Sequence, residues 1–166
     1  MVATAQKNDT GLKWYFAYGS NMNPARLVDE RLKGGGVDGQ PKRIGGRLDG
    51  WRLVFNKQAR GPAGAGAGNI VPAAGDVVYG TLNALPPEGF EILDRWEGVA
   101  GGHYERRTVP VVRMDTGAAV EAITYVALLV GEGLRPTRDY LGHLLAGSDL
   151  LPADYCERLR ATPTLD

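Results

Sequence analysis

Residues 14–24 (WYFAYGSNMNP) hold the densest group of side chains that could bind a small ligand. The aromatic run at the start favours a strand, and the closing Asn-Pro pair favours the first turn of a helix. Gly19 permits a sharp bend between the two. Such a turn directs free backbone N–H groups at the space in front of it, and Ser20 and Asn21 add polar side chains. The segment predicts a seat for an anionic or carbonyl-bearing ligand, unless its polar groups only satisfy the backbone of the turn.

Glu97 is the second candidate, because it is a carboxylate where a helix should face inward. Between the prolines at 86–87 and Gly98, a helix would place Phe90, Leu93 and Glu97 at i, i+3 and i+7 on one face. The helix dipole disfavours a negative charge in the last turn, and burial disfavours it further. Both effects raise a carboxyl pKa, as a general acid or base near neutral pH requires. The alternative is a frayed helix end that leaves the carboxylate in water.

Three tyrosines could complete the site. Tyr104 follows a glycine bend shortly after the candidate carboxylate, Tyr125 lies in the last predicted strand, and Tyr140 is on the apolar side of the next helix. Each could equally be a core residue whose hydroxyl needs only one partner. Neither histidine has a second His or Cys at metal-ligand spacing, so we expect no metal, and no motif indicates another cofactor.

Composition and charge exclude several classes of function. Nineteen basic and nineteen acidic side chains balance, so no electrostatic footprint for nucleic acid or an anionic membrane is visible. The single Cys156 excludes an intrachain disulfide framework and suits a reducing compartment. No apolar run reaches the length of a membrane span, and the first residues lack a signal-peptide core. We therefore expect a soluble cytoplasmic protein.

The elements that position these residues are mostly strands with helices inserted and appended. A tail at 1–11 would precede one domain at 12–160 and a short C-terminal tail at 161–166. Strands are predicted, after the opening aromatic run, at 48–55, 70–72, 77–82, 106–112 and 120–128, with a hairpin turn at 115–117. Helices are predicted at 24–32, 86–97, 136–147 and 152–159. Residues 61–68 (GPAGAGAG) predict a flexible surface loop or lid. This order indicates an α+β fold with a mixed or barrel-like sheet.

Four segments and one tyrosine together resemble the γ-glutamylcyclotransferase-like family. They are residues 15–22 (YFAYGSNM), 75–80 (GDVVYG), 93–99 (LDRWEGV) with Tyr104, and 151–155 (LPADY). The Tyr-Gly-Ser-Asn and Leu-Asp-x-x-Glu-Gly signatures are specific when they occur in this order. The resemblance extends over nearly the whole chain and implies a compact α+β fold, a mixed barrel-like sheet with short flanking helices.

The resemblance also implies roles for individual residues. Glu97 would be the catalytic acid/base, and the turn beginning at Tyr15 would hold a γ-glutamyl group. Tyr140 falls where members of the family place a substrate-contacting tyrosine, and Tyr104 and Tyr125 match further pocket tyrosines. The turn residues implied as substrate-binding are Tyr15, Phe16, Ala17, Tyr18, Gly19, Ser20 and Asn21.

The implied reaction is intramolecular: the α-amine of a γ-glutamyl compound attacks its own γ-carbonyl, forming 5-oxoproline and releasing an amino acid or amine. No metal or protein nucleophile is needed, and a monomer or homodimer would suffice. Two alternatives remain, a binding module that holds a γ-glutamyl ligand without turnover and a deacylase that removes a γ-glutamyl group from a biosynthetic intermediate. The Gly/Ala segment at 61–68 and the Arg106–Arg107 pair depart from the animal enzymes, and Arg after Tyr-Glu resembles other branches such as the γ-glutamylamine cyclotransferases, which leaves the leaving group open.

Overall fold

A closed five-stranded barrel forms the centre of the molecule in the computed structural model, which describes residues 11–166. The neighbour order is β1-β3-β2-β4-β5, and a parallel pairing of β1 with β5 completes the ring of otherwise antiparallel neighbours. The strands are β1 Lys13–Ala17, β2 Arg43–Gln58, β3 Gly66–Leu85, β4 Tyr104–Arg113 and β5 Ala119–Ala127. The predicted α+β fold with a mixed barrel-like sheet is confirmed.

Four helices pack outside the barrel: α1 Ala25–Leu32, α2 Pro87–Trp96, α3 Arg138–Leu145 and α4 Ala153–Arg160. The first, labelled α1 here, has π-type hydrogen bonds, including one from Lys33 N–H to the Val28 carbonyl at 2.8 Å. Each helix lies where its capping residues predict it. Asn23 Oδ1 accepts from Ala25 N–H before α1, and Thr137 Oγ1 accepts from Tyr140 N–H at the start of α3.

Two apolar clusters divide the core. One fills the barrel and includes Phe16, Leu48, Val78 and Leu82. The other lies between the barrel and the helices, and Tyr15 belongs to it. Because successive strand residues point to opposite faces, neighbouring side chains of β1 enter different clusters.

The predicted loop at 61–68 is wrong in its second half. β3 begins at Gly66 and continues without interruption to Leu85, so the strands predicted at 70–72 and 77–82 are one strand. A Cβ at Gly66 would clash with the Phe55 carbonyl oxygen on β2. Glycine at this position therefore permits the close approach of β2 and β3.

Of the tail at 1–11, residues 1–10 lie outside the described residues. The segment at 161–166 returns to the beginning of α3, where Leu165 N–H donates to the Pro136 carbonyl and Arg138 binds Asp166. No helix in the described range is long and apolar enough to cross a membrane.

Candidate active site

A cavity of about 510 Å³ lies where the end of β1, the start of β3, the end of α2 and α3 meet. Two predicted features line it: Glu97 and the turn at residues 18–21 (YGSN), called the signature turn below. The other predicted residues on its wall are Tyr15, Tyr104, Tyr125 and Tyr140. Its size is in the range of ordinary small-molecule sites.

Glu97 enters the cavity because α2 stops directly before it. Its N–H still donates to the Leu93 carbonyl at 2.8 Å, while Gly98 takes the left-handed conformation (φ +66°) that ends the helix. A side chain at Gly98 would also meet the His103 ring at 2.9 Å. With Phe90 and Leu93 buried on the same face, Glu97 is half-buried and keeps contact with the cavity.

Burial raises the pKa of Glu97 from its ordinary 4.5 to about 7. Three cations partly oppose this effect: Arg31 most, then Lys57 and Arg26. Within residues 11–166 none of them approaches the carboxylate closely enough to form an ion pair. Desolvation therefore outweighs attraction, and the group can exchange a proton near neutral pH.

A hydrogen-bonded chain joins the signature turn to α1. Asn21 Nδ2 donates to the Tyr15 hydroxyl at 3.0 Å, and Arg31 Nε donates to Asn21 Oδ1 at 2.7 Å. The Arg31 guanidinium also lies 4.4 Å from the centre of the Trp96 ring. Burial, together with the nearby Glu97, holds the pKa of the Tyr15 hydroxyl above its ordinary value, so it stays neutral. The Asn21 amide thus orients one tyrosine and one arginine at the cavity wall.

Two tyrosine hydroxyls hold the backbone of Gly68. Gly68 N–H donates to the Tyr140 hydroxyl at 2.8 Å, and the Tyr104 hydroxyl donates to the Gly68 carbonyl at 2.8 Å. A Cβ at Gly19 or Gly68 would lie 3.0 or 3.1 Å from the Tyr140 oxygen. A side chain at either position would crowd this oxygen, which lies between β3 and the signature turn.

Two further tyrosines are fixed by the protein. The Tyr18 hydroxyl donates to the Tyr125 carbonyl at 2.6 Å, and the Tyr125 hydroxyl donates to Asp94 Oδ1 at 2.7 Å. Asp94 in turn receives two hydrogen bonds of 2.8 Å from Arg106. Arg106 thus orients a wall tyrosine through Asp94, while Arg107 lies at the surface beside Glu105.

Phe16 and Ala17, also predicted as substrate-binding residues, are not among the residues that line the cavity. Phe16 points into the barrel, where a Cβ at Gly46 or Gly80 would come within 3.2 Å of its ring. Ala17 packs in the cluster beneath the helices. Because side chains alternate between the two faces of a strand, only some residues of a contiguous motif can face a site, and these two side chains lie in the core.

Sequence reasoning missed the cations Arg26, Arg31 and Lys57 at the cavity. The first two are five residues apart, which an α-helix places on different faces but which the i→i+5 hydrogen bonding of α1 brings together. Lys57 is buried near the end of β2 with its amine on the Gln58 carbonyl. A cationic residue near the end of a strand carries no signal of its own. Across the range 11–166 no cluster of potential metal ligands occurs.

A half-buried carboxyl that titrates near neutral pH, on a polar cavity beside a closed α+β barrel, is suited to moving protons on a small polar ligand. The chain belongs to the AIG2-like family, whose model matches residues 77–159. Comparison with curated proteins gives no significant match.

Solved structures support the same assignment. A γ-glutamyl cyclotransferase is 26% identical, with 93% of this chain and 90% of that chain covered and a TM-score of 0.75. A human protein described as uncharacterized is 27% identical, with 94% of this chain and 90% of that chain covered and a TM-score of 0.75. A γ-glutamyl cyclotransferase specific to glutathione from yeast shares the fold at 13% identity, with 90% and 94% covered and a TM-score of 0.59. The predicted resemblance to the γ-glutamylcyclotransferase-like family is confirmed, and it supports a cyclotransferase type of enzyme.

Proposed function

We propose that this protein converts a γ-glutamyl amino acid, peptide or amine into 5-oxoproline and the free leaving group. The observation that carries the proposal is the Glu97 carboxyl, which lines the same cavity as the signature turn and has a pKa of about 7. An ordinary glutamate would be too weak a base to take a proton from an α-ammonium group of pKa about 8. Burial raises the pKa of Glu97 toward that of the α-ammonium group, so the proton can be transferred.

In the proposed reaction, the substrate's α-nitrogen forms a bond to the γ-carbonyl carbon and the γ-amide C–N bond breaks. The α-ammonium nitrogen loses two protons as it becomes the lactam N–H, and the departing nitrogen gains two as it leaves as an ammonium group. Glu97 carries protons from the first nitrogen to the second, so it ends the cycle as it began. The reaction consumes no water and involves no redox change. Because the nucleophile belongs to the substrate, the protein's main tasks are proton transfer and positioning.

Positioning falls to the turn at 19–21 and to the tyrosines around it. Backbone N–H groups of the turn would hold the glutamyl unit in its ring-closing shape and stabilise the developing oxyanion. The hydroxyls of Tyr104 and Tyr140 fix the backbone of Gly68 beside this turn. Gly19 leaves no side chain in the way.

A matched pair of substrates tests the proposal. γ-Glutamyl-alanine should yield 5-oxoproline and alanine, while N-acetyl-γ-glutamyl-alanine, whose α-nitrogen is blocked, should yield nothing. A deacylase would instead release glutamate from the first and N-acetylglutamate from the second. A binding module would bind γ-glutamyl-alanine in calorimetry and leave it intact. Either result would replace the cyclotransferase proposal. ε-(γ-Glutamyl)-lysine extends the test to amine leaving groups.

A further inference from the structure

A second cavity, of about 410 Å³, adjoins the first. The two share Arg31, Arg60 and Trp96 as lining residues. Neither the carboxyl of Glu97 nor the signature turn reaches the second cavity, which extends instead toward Arg95 on α2. The two cavities thus meet at the side chains of Arg31, Arg60 and Trp96.

The second cavity is cationic although the whole chain is neutral. Arg31, Arg60 and Arg95 line it, opposed by Glu30 alone, whose carboxylate is mostly exposed and pairs loosely with Arg26 at 3.9 Å. Among the described residues, Arg60 and Arg95 form no ion pair. Uncommitted guanidinium groups lining a concave surface are suited to bind a carboxylate, because their planar N–H groups match its two oxygens.

Trp96 forms the surface between the two cavities. It is 51% exposed, an unusual state for the largest side chain, while Arg31 stacks over its ring at 4.4 Å. The stacked arginine keeps the indole in place. The exposed half of the ring offers a flat contact to whatever passes from one cavity to the other.

We propose that the second cavity is the subsite for the leaving group, and that the preferred substrate is a γ-glutamyl peptide whose leaving peptide carries a free carboxylate bound by Arg60 and Arg95. This inference rests on the proposed function. The same arginines repel a cationic leaving group, so a lysine-type amine is a poorer substrate than an acidic peptide of equal length.

A pair of peptides that differ only in charge tests the subsite. γ-Glutamyl-alanyl-glycine carries the C-terminal carboxylate, whereas γ-glutamyl-alanyl-glycinamide carries an uncharged amide in its place. We expect kcat/KM to favour the acid by about tenfold, the effect of one charge-assisted contact, and we expect Arg95→Gln to reduce that ratio several-fold. Arg160→Gln, an exposed arginine on α4 outside both cavities, is the matched control and should keep the ratio. Equal kcat/KM values for acid and amide, or an unchanged ratio in Arg95→Gln, overturn the subsite.

Binding separates this inference from the proposed function. Calorimetry with Glu97→Gln should show tighter binding of the acid than of the amide, and Glu97→Gln/Arg95→Gln should lose that difference. If the unmodified protein releases no 5-oxoproline but this binding pattern holds, the cyclotransferase proposal fails and the carboxylate subsite stands. If 5-oxoproline forms from both peptides without preference, the subsite fails and the reaction stands. Absence of binding by either peptide overturns the subsite.

Discussion

Asp94 and Glu97 are two carboxylates at the same helix end, but they differ in their hydrogen-bond partners. Asp94 receives two hydrogen bonds from Arg106 and one from the Tyr125 hydroxyl, each shorter than 2.9 Å. The Glu97 carboxyl has no hydrogen bond or ion pair within residues 11–166 and faces a cavity. A carboxylate with all of its partners holds structure together, whereas one without them is available for a proton and a ligand.

The difference arises from three residues of spacing at the end of α2. Asp94 still lies on the helix and points toward β4, while Glu97 follows the last helical residue and precedes the left-handed Gly98. Arg31, Lys57 and Arg26 act on Glu97 only through space. They keep its pKa from rising further without committing it to a salt bridge.

The largest effect is expected from Glu97→Gln. The amide has nearly the same shape but cannot carry the proton, so we expect kcat to fall by about 10²–10⁴-fold, the usual contribution of a general acid/base. 5-Oxoproline release measures it, and circular dichroism checks that the fold is retained. Glu91→Gln, an exposed glutamate of α2, is the matched control and should keep full activity. Parental turnover in Glu97→Gln would assign the proton transfer to another group.

The pH dependence of stability should report the burial of the Glu97 carboxyl. Below pH 4.5 Glu97 is protonated in both states; above it the unfolded chain ionises while the folded protein keeps the proton until about pH 7. Stability is therefore lost as pH rises through this window, by at most about 3.4 kcal/mol, which is about 2.5 pH units at 1.36 kcal/mol each. Urea unfolding at pH 4.5 and pH 8 should show this loss in the parent and not in Glu97→Gln. Equal losses in the two proteins would contradict the burial of this carboxyl.

Asp94→Asn should act on structure more than on chemistry. The Tyr125 hydroxyl loses a charged acceptor, so we expect about 1–2 kcal/mol of destabilisation, with little from the partly exposed Arg106 pair. Activity should fall less than tenfold. A double-mutant cycle with Arg106→Gln measures the coupling between the two side chains by urea unfolding. Strict additivity would show that Arg106 does not position Asp94, and a loss of activity equal to that of Glu97→Gln would erase the contrast between the carboxylates.

Local patterns were sufficient for the elements that depend on nearby residues. The i, i+3, i+7 spacing of Phe90, Leu93 and Glu97 and the stop at Gly98 predicted α2 and its buried face, and the β4–β5 hairpin followed from its turn at 115–117. The parallel closure of β1 on β5 was not predictable in detail, because strand pairing over a hundred residues leaves no local pattern.

The site was predictable only where its residues belong to a motif. The unpaired carboxylate and the turn at 18–21 could be identified, but Phe16 could not be separated from its neighbours without knowing which face of β1 enters the barrel. The cations around Glu97 depend on the π-type winding of α1 and on the register of β2. Neither the winding of α1 nor the register of β2 can be predicted from residue propensity and spacing.

The smallest effect, and the finest test of the contrast, is expected from Arg31→Gln. Arg31 is the cation that lowers the pKa of Glu97 most, so its removal should move the acidic limb of the kcat/KM profile to higher pH. The displacement stays small because Lys57 and Arg26 remain. An NMR titration of the Glu97 carboxyl gives the same pKa without turnover, and Arg52→Gln, an exposed arginine that does not line the cavity, serves as control. A limb that stays in place would mean that solvent in the cavity screens Arg31 from Glu97, and a limb that moves to lower pH would reverse the assigned sign of this interaction.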